Sequence, residues 1–494
     1  MSWIDWAVIA GFLACTTLAG HLLKGKAKGM DGFFLGGRSL PWWAVSCSIM
    51  ASQLSAVTVI AVPGILFRKG ENLLFLQGTL LGFIVAKFLM AYLFVKPYYE
   101  QKIYSPYGFI ENRLGIGAAQ TARALFMISA VLGHGIRLLT VALVLKVVVD
   151  VSIAESVLVI GVFAVLWTMM GGINTVIWTD FVLFLLMIVG GVVSLLTIFN
   201  GLPFGLGEAV RELDQAAKLR LYDISLDPAK TWTLWTGLIA FAIFELAQNA
   251  VDQVITQRMM CCKNDKEARK AVLGSLGIVL FTLLMAAVGL GVWLFYNHNP
   301  LDPVAADTLA AQPSQAYPYF IVHQLPVGVS GLLIAGIFAA GISTLDSALA
   351  ALSETSVNGI YRKLINPEAT EAQCMVFSRV SVVIWGIALS GLAYLAGQLI
   401  QDEALLNLAY KAPVVTYGPM LMIALIALWW RVSLSAVLVG CVAAVATAVA
   451  SLVLIANELL AVDQFWLYPV TCMVFVVTAG ITESIVRAGG QTHT

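Results

Sequence analysis

Apolar runs long enough to cross a bilayer follow one another along almost the whole chain, and short segments between them hold most of the charges and turn residues. A spanning helix needs roughly 20 apolar residues, so each run reads as a transmembrane helix rather than one face of a soluble core. Bounding the runs by charges and turn residues predicts thirteen helices, near 3–23, 41–66, 73–95, 118–149, 154–169, 175–200, 233–255, 271–296, 328–361, 373–398, 410–429, 433–455 and 465–486. The first, Trp3 to Leu23, has no basic residue before it and is followed by Lys24, Lys26 and Lys28. A cleavable signal peptide has the reverse polarity, so this run is expected to stay as a helix.

Composition agrees with the pattern. Hydrophobic residues make up 60% of the 494 positions and charged residues 11%, against about a quarter charged in a soluble domain. The expected fold is an all-α polytopic membrane protein with lipid as its main solvent and no separate soluble domain. Net charge is zero and no basic cluster is dense enough for nucleic acid or a polybasic lipid anchor. Small solutes are the expected partners, with no obligatory protein partner evident. The seven cysteines lack metal-ligand spacing and read as small apolar residues or free thiols, only Cys261 and Cys262 falling in a charged loop.

Loop charge sets the expected orientation. With the amino terminus outside, the alternate loops that become cytoplasmic hold sixteen Lys and Arg, and the opposite loops far fewer. The positive-inside rule then places the carboxyl terminus in the cytoplasm of a cell whose inner (plasma) membrane holds the chain. The helices from 41 to 200 and from 233 to 429 form two blocks of five. An odd number per block makes the second insert upside down, the origin of inverted repeats in secondary transporters. The domain reading is an extra helix and cytoplasmic loop over 1–40, a first repeat over 41–200, an extracellular loop over 201–232, a second repeat over 233–429, and two last helices with a short tail over 430–494.

Five places carry polar chemistry inside apolar runs. SIMASQLSAVTVIAVPG (48–64) mixes Ser48, Ser52, Gln53, Ser55 and Thr58 into a span that ends on Pro63-Gly64; such a segment serves either a broken helix that holds cation and substrate or close helix packing. AAGISTLDSALAALSETS (339–356) sets Ser343, Ser347, Ala350 and Glu354 on one face, with Asp346 beside them. Hydroxyls, carbonyls and one carboxylate suit a hard cation, and the alternative is an Asp paired with a basic residue of another helix. Asp180, next to Thr179, reads equally as a helix cap or a ligand. Glu245, Gln248, Asn249 and Asp252 make one helix face polar, for substrate contact or for an interhelical hydrogen-bond network. His134 and Arg137 fall within a span, and Arg137 offers either a fork for a carboxylate or a partner for a neighbouring acid.

Together these segments resemble the sodium/solute symporter family, which contains sodium-coupled sugar, proline, iodide, choline and sialic acid transporters. The resemblance covers nearly the whole chain and rests on FFLGGRSLPWWAV (33–45), the polar first core helix, SPYGFIENRLG (105–115), MGGINTVIWTD (170–180), DQVITQR (252–258) and GLLIAGIFAAGISTLDSALAAL (331–352). It implies a LeuT-like inverted five-helix repeat and sodium ions as the coupling cargo. Carried over by position, a first sodium site falls on the carbonyls of Ala51, Leu54 and Ala340 with the hydroxyls of Ser343 and Thr344. A second falls on Asp180, Ser343, Asp346 and Ser347, where Asp346 departs from the usual hydroxyl and either strengthens a sodium site or replaces its ion with a proton. The pattern is closest to bacterial sialic acid symporters, whose substrate side corresponds here to Gln53, Ser55, Thr58, Gln77 and Arg137. Gln53 stands where that branch has Thr, and placing Arg137 needs a small gap.

The resemblance implies a sodium-coupled symporter that imports a small organic solute, with sialic acid (N-acetylneuraminate) or another organic anion as the first substrate and a sugar, monocarboxylate, amino acid or choline as the alternative. A membrane sensor, channel or intramembrane enzyme is the competing class. An enzyme needs a metal or nucleophile constellation, and none of the five His has ligand spacing to another.

Overall fold

The structure is a computed structural model that describes residues 2–22, 32, 34–53, 56–149, 151–170, 173–399, 411 and 413–488. Among them every regular element is a helix. In chain order these are α1 (Trp3–Leu22), α2 (Trp42–Gln53), α3 (Ala56–Phe67), α4 (Leu74–Glu100), α5 (Pro106–Leu114), α6 (Ile116–Val149), α7 (Ile153–Met170), α8 (Ile173–Asn200) and α9 (Leu206–Gln215). There follow α10 (Thr236–Ala250), α11 (Gln253–Met259), α12 (Asp265–His298), α13 (Pro303–Ala311), α14 (Ala316–Gln324) and α15 (Val329–Ile365). The last four are α16 (Glu371–Leu399), α17 (Val414–Trp429), α18 (Leu434–Ala456) and α19 (Gln464–Ala488).

Eight of the described helices are long and apolar enough to cross a membrane, and ten spans result when each of two bent pairs counts as one. The other three expected spans correspond to the shorter apolar stretches in α1, α7 and α17. The first bent pair, Trp42–Gln53 with Thr58–Phe67, turns by 51°, and the second, Thr236–Ala250 with Gln253–Met259, by 60°. The second pair corrects the continuous helix expected over 233–255. Asp252 is the reason: its backbone is extended and its side chain accepts from the Val254 N–H at 2.8 Å, starting a new helix. The two breaks fall at the first helix of each five-helix block, the correspondence an inverted repeat requires.

Small residues let the spans meet closely. Gly78 and Gly82 of α4 face α10, where a Cβ on Gly237 would stand 2.5 Å from the Gly78 Cα; only backbones without side chains cross at that distance. Asp5 docks α1 by accepting from the Gly328 N–H at 2.7 Å, the Ser330 hydroxyl at 2.8 Å and the Gly331 N–H at 3.2 Å, at the positive end of α15. Cys261 and Cys262, in the charged connection after α11, are fully buried. They follow α11 directly, and Leu40 N–H donates to the Cys261 carbonyl at 3.1 Å, so the incoming segment covers them.

Candidate functional site

Residues on both sides of each break line one shared cavity. Gln53 and Thr58 flank the first break, Glu245, Gln248 and Asp252 lie at or before the second, and His134 and Arg137 of α6 line the same cavity. Ser55, another expected substrate contact, lies outside the described residues, as does Leu54 of the expected first sodium set. Gln77 is engaged elsewhere: its amide donates to the Trp232 carbonyl at 3.1 Å and accepts from the Asp223 N–H at 3.2 Å, holding the segment before α10 against α4.

The walls differ in how far their polar groups are satisfied. Glu245 accepts from Gln53 at 3.2 Å and from Asn249 at 3.3 Å, and Gln53 also donates to Gln248 at 3.2 Å. Asp252 accepts from the Tyr417 hydroxyl at 2.8 Å. The polar face of α10 is thus an interhelical network and a cavity wall at once. On α6, Arg137 makes no hydrogen bond or ion pair among the described residues, and the buried His134 Nδ1 has no hydrogen-bond partner. A guanidinium and an imidazole with open hydrogen-bonding capacity are what an anionic, oxygen-rich solute would satisfy.

Below the cavity lies a second cluster. Ala51 and Ala340 line a small pocket together with Asp180. Asp180 is the eighth residue of α8, past the first turn, which removes the capping role. Its carboxylate accepts from the Ser48 hydroxyl at 2.5 Å, from the Ser343 hydroxyl, and from Arg258 Nη2 at 3.1 Å. Arg258 also donates to Ser48 Oγ at 2.9 Å, to the Val254 carbonyl at 2.8 Å and to the Ser347 hydroxyl. Thr344 donates to the Ala340 carbonyl at 2.9 Å, and Ser347 to the Ser343 carbonyl at 2.7 Å. With those hydrogens committed, the hydroxyls of Ser343 and Thr344 have oxygen lone pairs left to offer a cation. Asp346 is buried nearby. Glu354 is held apart from this cluster by Gln253 at 3.2 Å and Asn358 at 2.9 Å.

Two buried cations were not singled out from sequence. Arg258 directly precedes a charged connection that holds Lys263, Lys266, Arg269 and Lys270, yet it is 1% exposed. Lys87 sits in a run read as a plain span and is fully buried, bonded to Gln53 at 2.8 Å and Asn249 at 2.6 Å. The signal was available for Lys87, since a lysine inside an apolar run is costly and needs partners.

A family model described as the sodium:solute symporter family matches residues 33–462. The chain belongs to that family. This symporter is 27% identical over 393 residues to the sodium/sialic acid symporter SiaT of Proteus mirabilis, covering 78% of this chain and 76% of SiaT. The sodium/sialic acid symporter NanT of Aliivibrio fischeri is 26% identical over 452 residues, 90% of this chain and 86% of NanT. The human sodium/iodide cotransporter is 27% identical over 423 residues, 84% of this chain and 64% of its own length. A Na+-coupled sialic acid symporter solved in a substrate-bound outward-open state has the same fold, with a TM-score of 0.84 at 24% identity over 98% of both chains. Mhp1, a nucleobase-cation-symport-1 transporter solved in a closed conformation, follows at 0.59 and 14% identity, over 92% of this chain and 94% of its own. The symporter is a multi-pass, LeuT-like membrane protein that couples a small solute to sodium, and it is a transporter rather than an enzyme.

Proposed function

We propose that the symporter imports a small organic anion with sodium, N-acetylneuraminate being the first candidate, across the inner (plasma) membrane by alternating access. The observation that carries the anion is Arg137, a guanidinium on the cavity wall without a partner among the described residues. A substrate carboxylate would take its fork, and hydroxyl or acylamino groups would reach His134, Thr58 and the amide of Gln248. The two sialic acid symporters among the relatives support the same solute.

Sodium is assigned first to the oxygens of Ala51, Leu54, Ala340, Ser343 and Thr344. The shared pocket of Ala51 and Ala340 and the committed hydrogens of the two hydroxyls support that assignment. Asp180, Ser343, Asp346 and Ser347 form a second cation cluster; Arg258 balances Asp180 there, so the formal charge left for a second ion is that of Asp346. Sodium binds first, ties the broken first core helix to α15 and completes the solute cavity, shifting the equilibrium through its differential affinity for the outward-open state. Each sodium entering down about 100 mV and a tenfold gradient supplies roughly 3.7 kcal/mol.

The repeats span 41–200 and 233–429, with the amino terminus outside and the carboxyl terminus in the cytoplasm. With the buried Arg258 set aside, the loops assigned to the cytoplasm still hold fifteen Lys and Arg, far more than the opposite loops. The test is uptake into proteoliposomes under an inward sodium gradient, comparing labelled N-acetylneuraminate with a sugar, pyruvate, proline and choline. Sodium-dependent uptake of the sialic acid alone is expected. Uptake of a neutral or cationic compound in its place would reject the anion.

A further inference from the structure

Lys87 stands inside α4, fully buried, and belongs neither to the cation cluster nor to the lining of the cavity. Its ammonium donates to Gln53 Oε1 and Asn249 Oδ1. The amide nitrogens of those two residues donate in turn to the same carboxylate oxygen of Glu245. A closed ring results, in which two amides join a cation to an anion that it does not touch. Gln53 ends α2 at the first break and Asn249 lies three residues before Asp252 at the second, so the ring ties α4 to both broken spans beside their breaks. Gln53 and Glu245 are also cavity walls, which makes Lys87 the residue behind them that sets their state.

The electrostatic consequence concerns the solute. A carboxylate in a cavity wall repels an incoming anion unless its charge is balanced, and repulsion is strong where water is excluded. Lys87 is joined to Glu245 through both amides, whereas Arg137 lines the same cavity without bonding to it. The other acidic wall residue, Asp252, is already held by Tyr417 and by the N-terminus of α11. We propose that Lys87 is a positioning and specificity-determining residue for the transported solute: it balances Glu245 and fixes the Gln53 amide, so that Arg137 is the cavity charge left for an anion. This rests on the reading of the cavity as the solute site. Removing Lys87 leaves Glu245 uncompensated in the cavity that Arg137 lines, and Arg137 then pairs with it at the substrate's expense.

The experiment uses the full chain as wild type, Lys87→Met, Glu245→Gln and the double variant. Melting of the purified proteins needs no solute. Lys87→Met is expected to melt lowest, with most of the loss recovered in the double variant, because the orphaned charge has gone. A double variant that melts no higher than Lys87→Met overturns the ring. Sodium-driven uptake of N-acetylneuraminate, pyruvate and glucose then reads the specificity. Lys87→Met is expected to raise KM for the carboxylates about tenfold or more with a much smaller change in kcat, and Glu245→Gln on top of it to bring KM back. An unchanged carboxylate KM in Lys87→Met, or no recovery in the double variant, overturns the proposal. A wild type that accumulates none of the three, or glucose alone, rejects the anion-site reading and the specificity claim with it, while the melting cycle still decides the ring.

Discussion

Arg258 of α11 and Asp180 of α8 form an ion pair of 3.1 Å with both side chains almost wholly buried, 1% and 3% exposed. The pair joins the second broken span to the helix that faces the first, and Ser48, Ser343 and Ser347 bond to one or other member. Removing one partner of a buried pair leaves an uncompensated charge and costs about 3–5 kcal/mol. Asp180→Ala is therefore expected to lower thermal stability by that order and to flatten or shift sodium activation of uptake. Asp180→Ala with Arg258→Met should regain stability without regaining the wild-type sodium response. If the single variant melts and responds to sodium as wild type does, the pair has no role in either.

Ser343 stands between the two expected cation sets, donating to Asp180 and carrying the carbonyl that Ser347 bonds. Ser343→Ala removes one hydroxyl oxygen from both sets at once and is expected to abolish coupled uptake. Sodium protection against thermal unfolding should fall with it, which separates a lost ion site from a lost solute site. Wild-type uptake with unchanged sodium dependence would show that the cation does not use this oxygen.

Much of this architecture was readable because lipid imposes a simple rule on each span: the apolar runs marked the helices to within a few residues, and the polar residues of 48–64 pointed to the first break, while the second falls inside the helix expected as continuous over 233–255. The Asp252 cap is a local signal for the second break, whereas Pro63-Gly64 lies inside α3 and not at the first. The partnerships were not local. Lys87 meets Asn249 across 162 residues and Arg258 meets Ser48 across 210, so their balance appears only when four helices are assembled. Asp180 could be read as a cap because its distance from the start of α8 was uncertain by a few residues, and Gln77 looked like a cavity residue until the Asp223 and Trp232 backbone claimed both ends of its amide.

Arg137 offers a planar fork that a lysine cannot reproduce. Arg137→Lys is expected to weaken a carboxylate solute by roughly tenfold or more in KM, in the range of about 1.5–3 kcal/mol for hydrogen bonds to charged groups, and Arg137→Gln by more. Sodium binding in the absence of solute should change little in Arg137→Lys. Equal KM values for wild type and Arg137→Gln would remove Arg137 from the solute site.

The close crossing of α4 and α10 makes a steric prediction. Gly237→Ala places a methyl 2.5 Å from the Gly78 Cα and 2.9 Å from the Gly78 carbonyl oxygen, backbone atoms that have no rotamer to escape into. Overpacking of this kind costs about 1–3 kcal/mol, and here it also separates the helices that carry Lys87 and Glu245. The variant should melt lower and transport more slowly, whereas Gly480→Ala, with nothing within 4 Å, should match wild type in both.

Glu111 of α5, in the connection between α4 and α6, accepts from Arg123 at 2.7 Å and from Lys363 at 2.6 Å. Burial pushes its carboxyl up, but the hydrogen bonds and charges of Lys363 and Arg123 outweigh that and hold it below the ordinary value of 4.5. A carboxylate depressed in the folded state contributes stability that is fully present above its unfolded pKa and is lost as pH falls through its folded one. Wild type should therefore lose stability as pH drops below about 4.5, while Glu111→Gln starts lower at neutral pH and lacks this component of the fall. The two melting curves should converge in acid. Parallel curves from neutral pH downwards would mean that the Glu111 carboxyl titrates alike in the folded and unfolded chain, so that its pairing with Arg123 and Lys363 contributes no net stability.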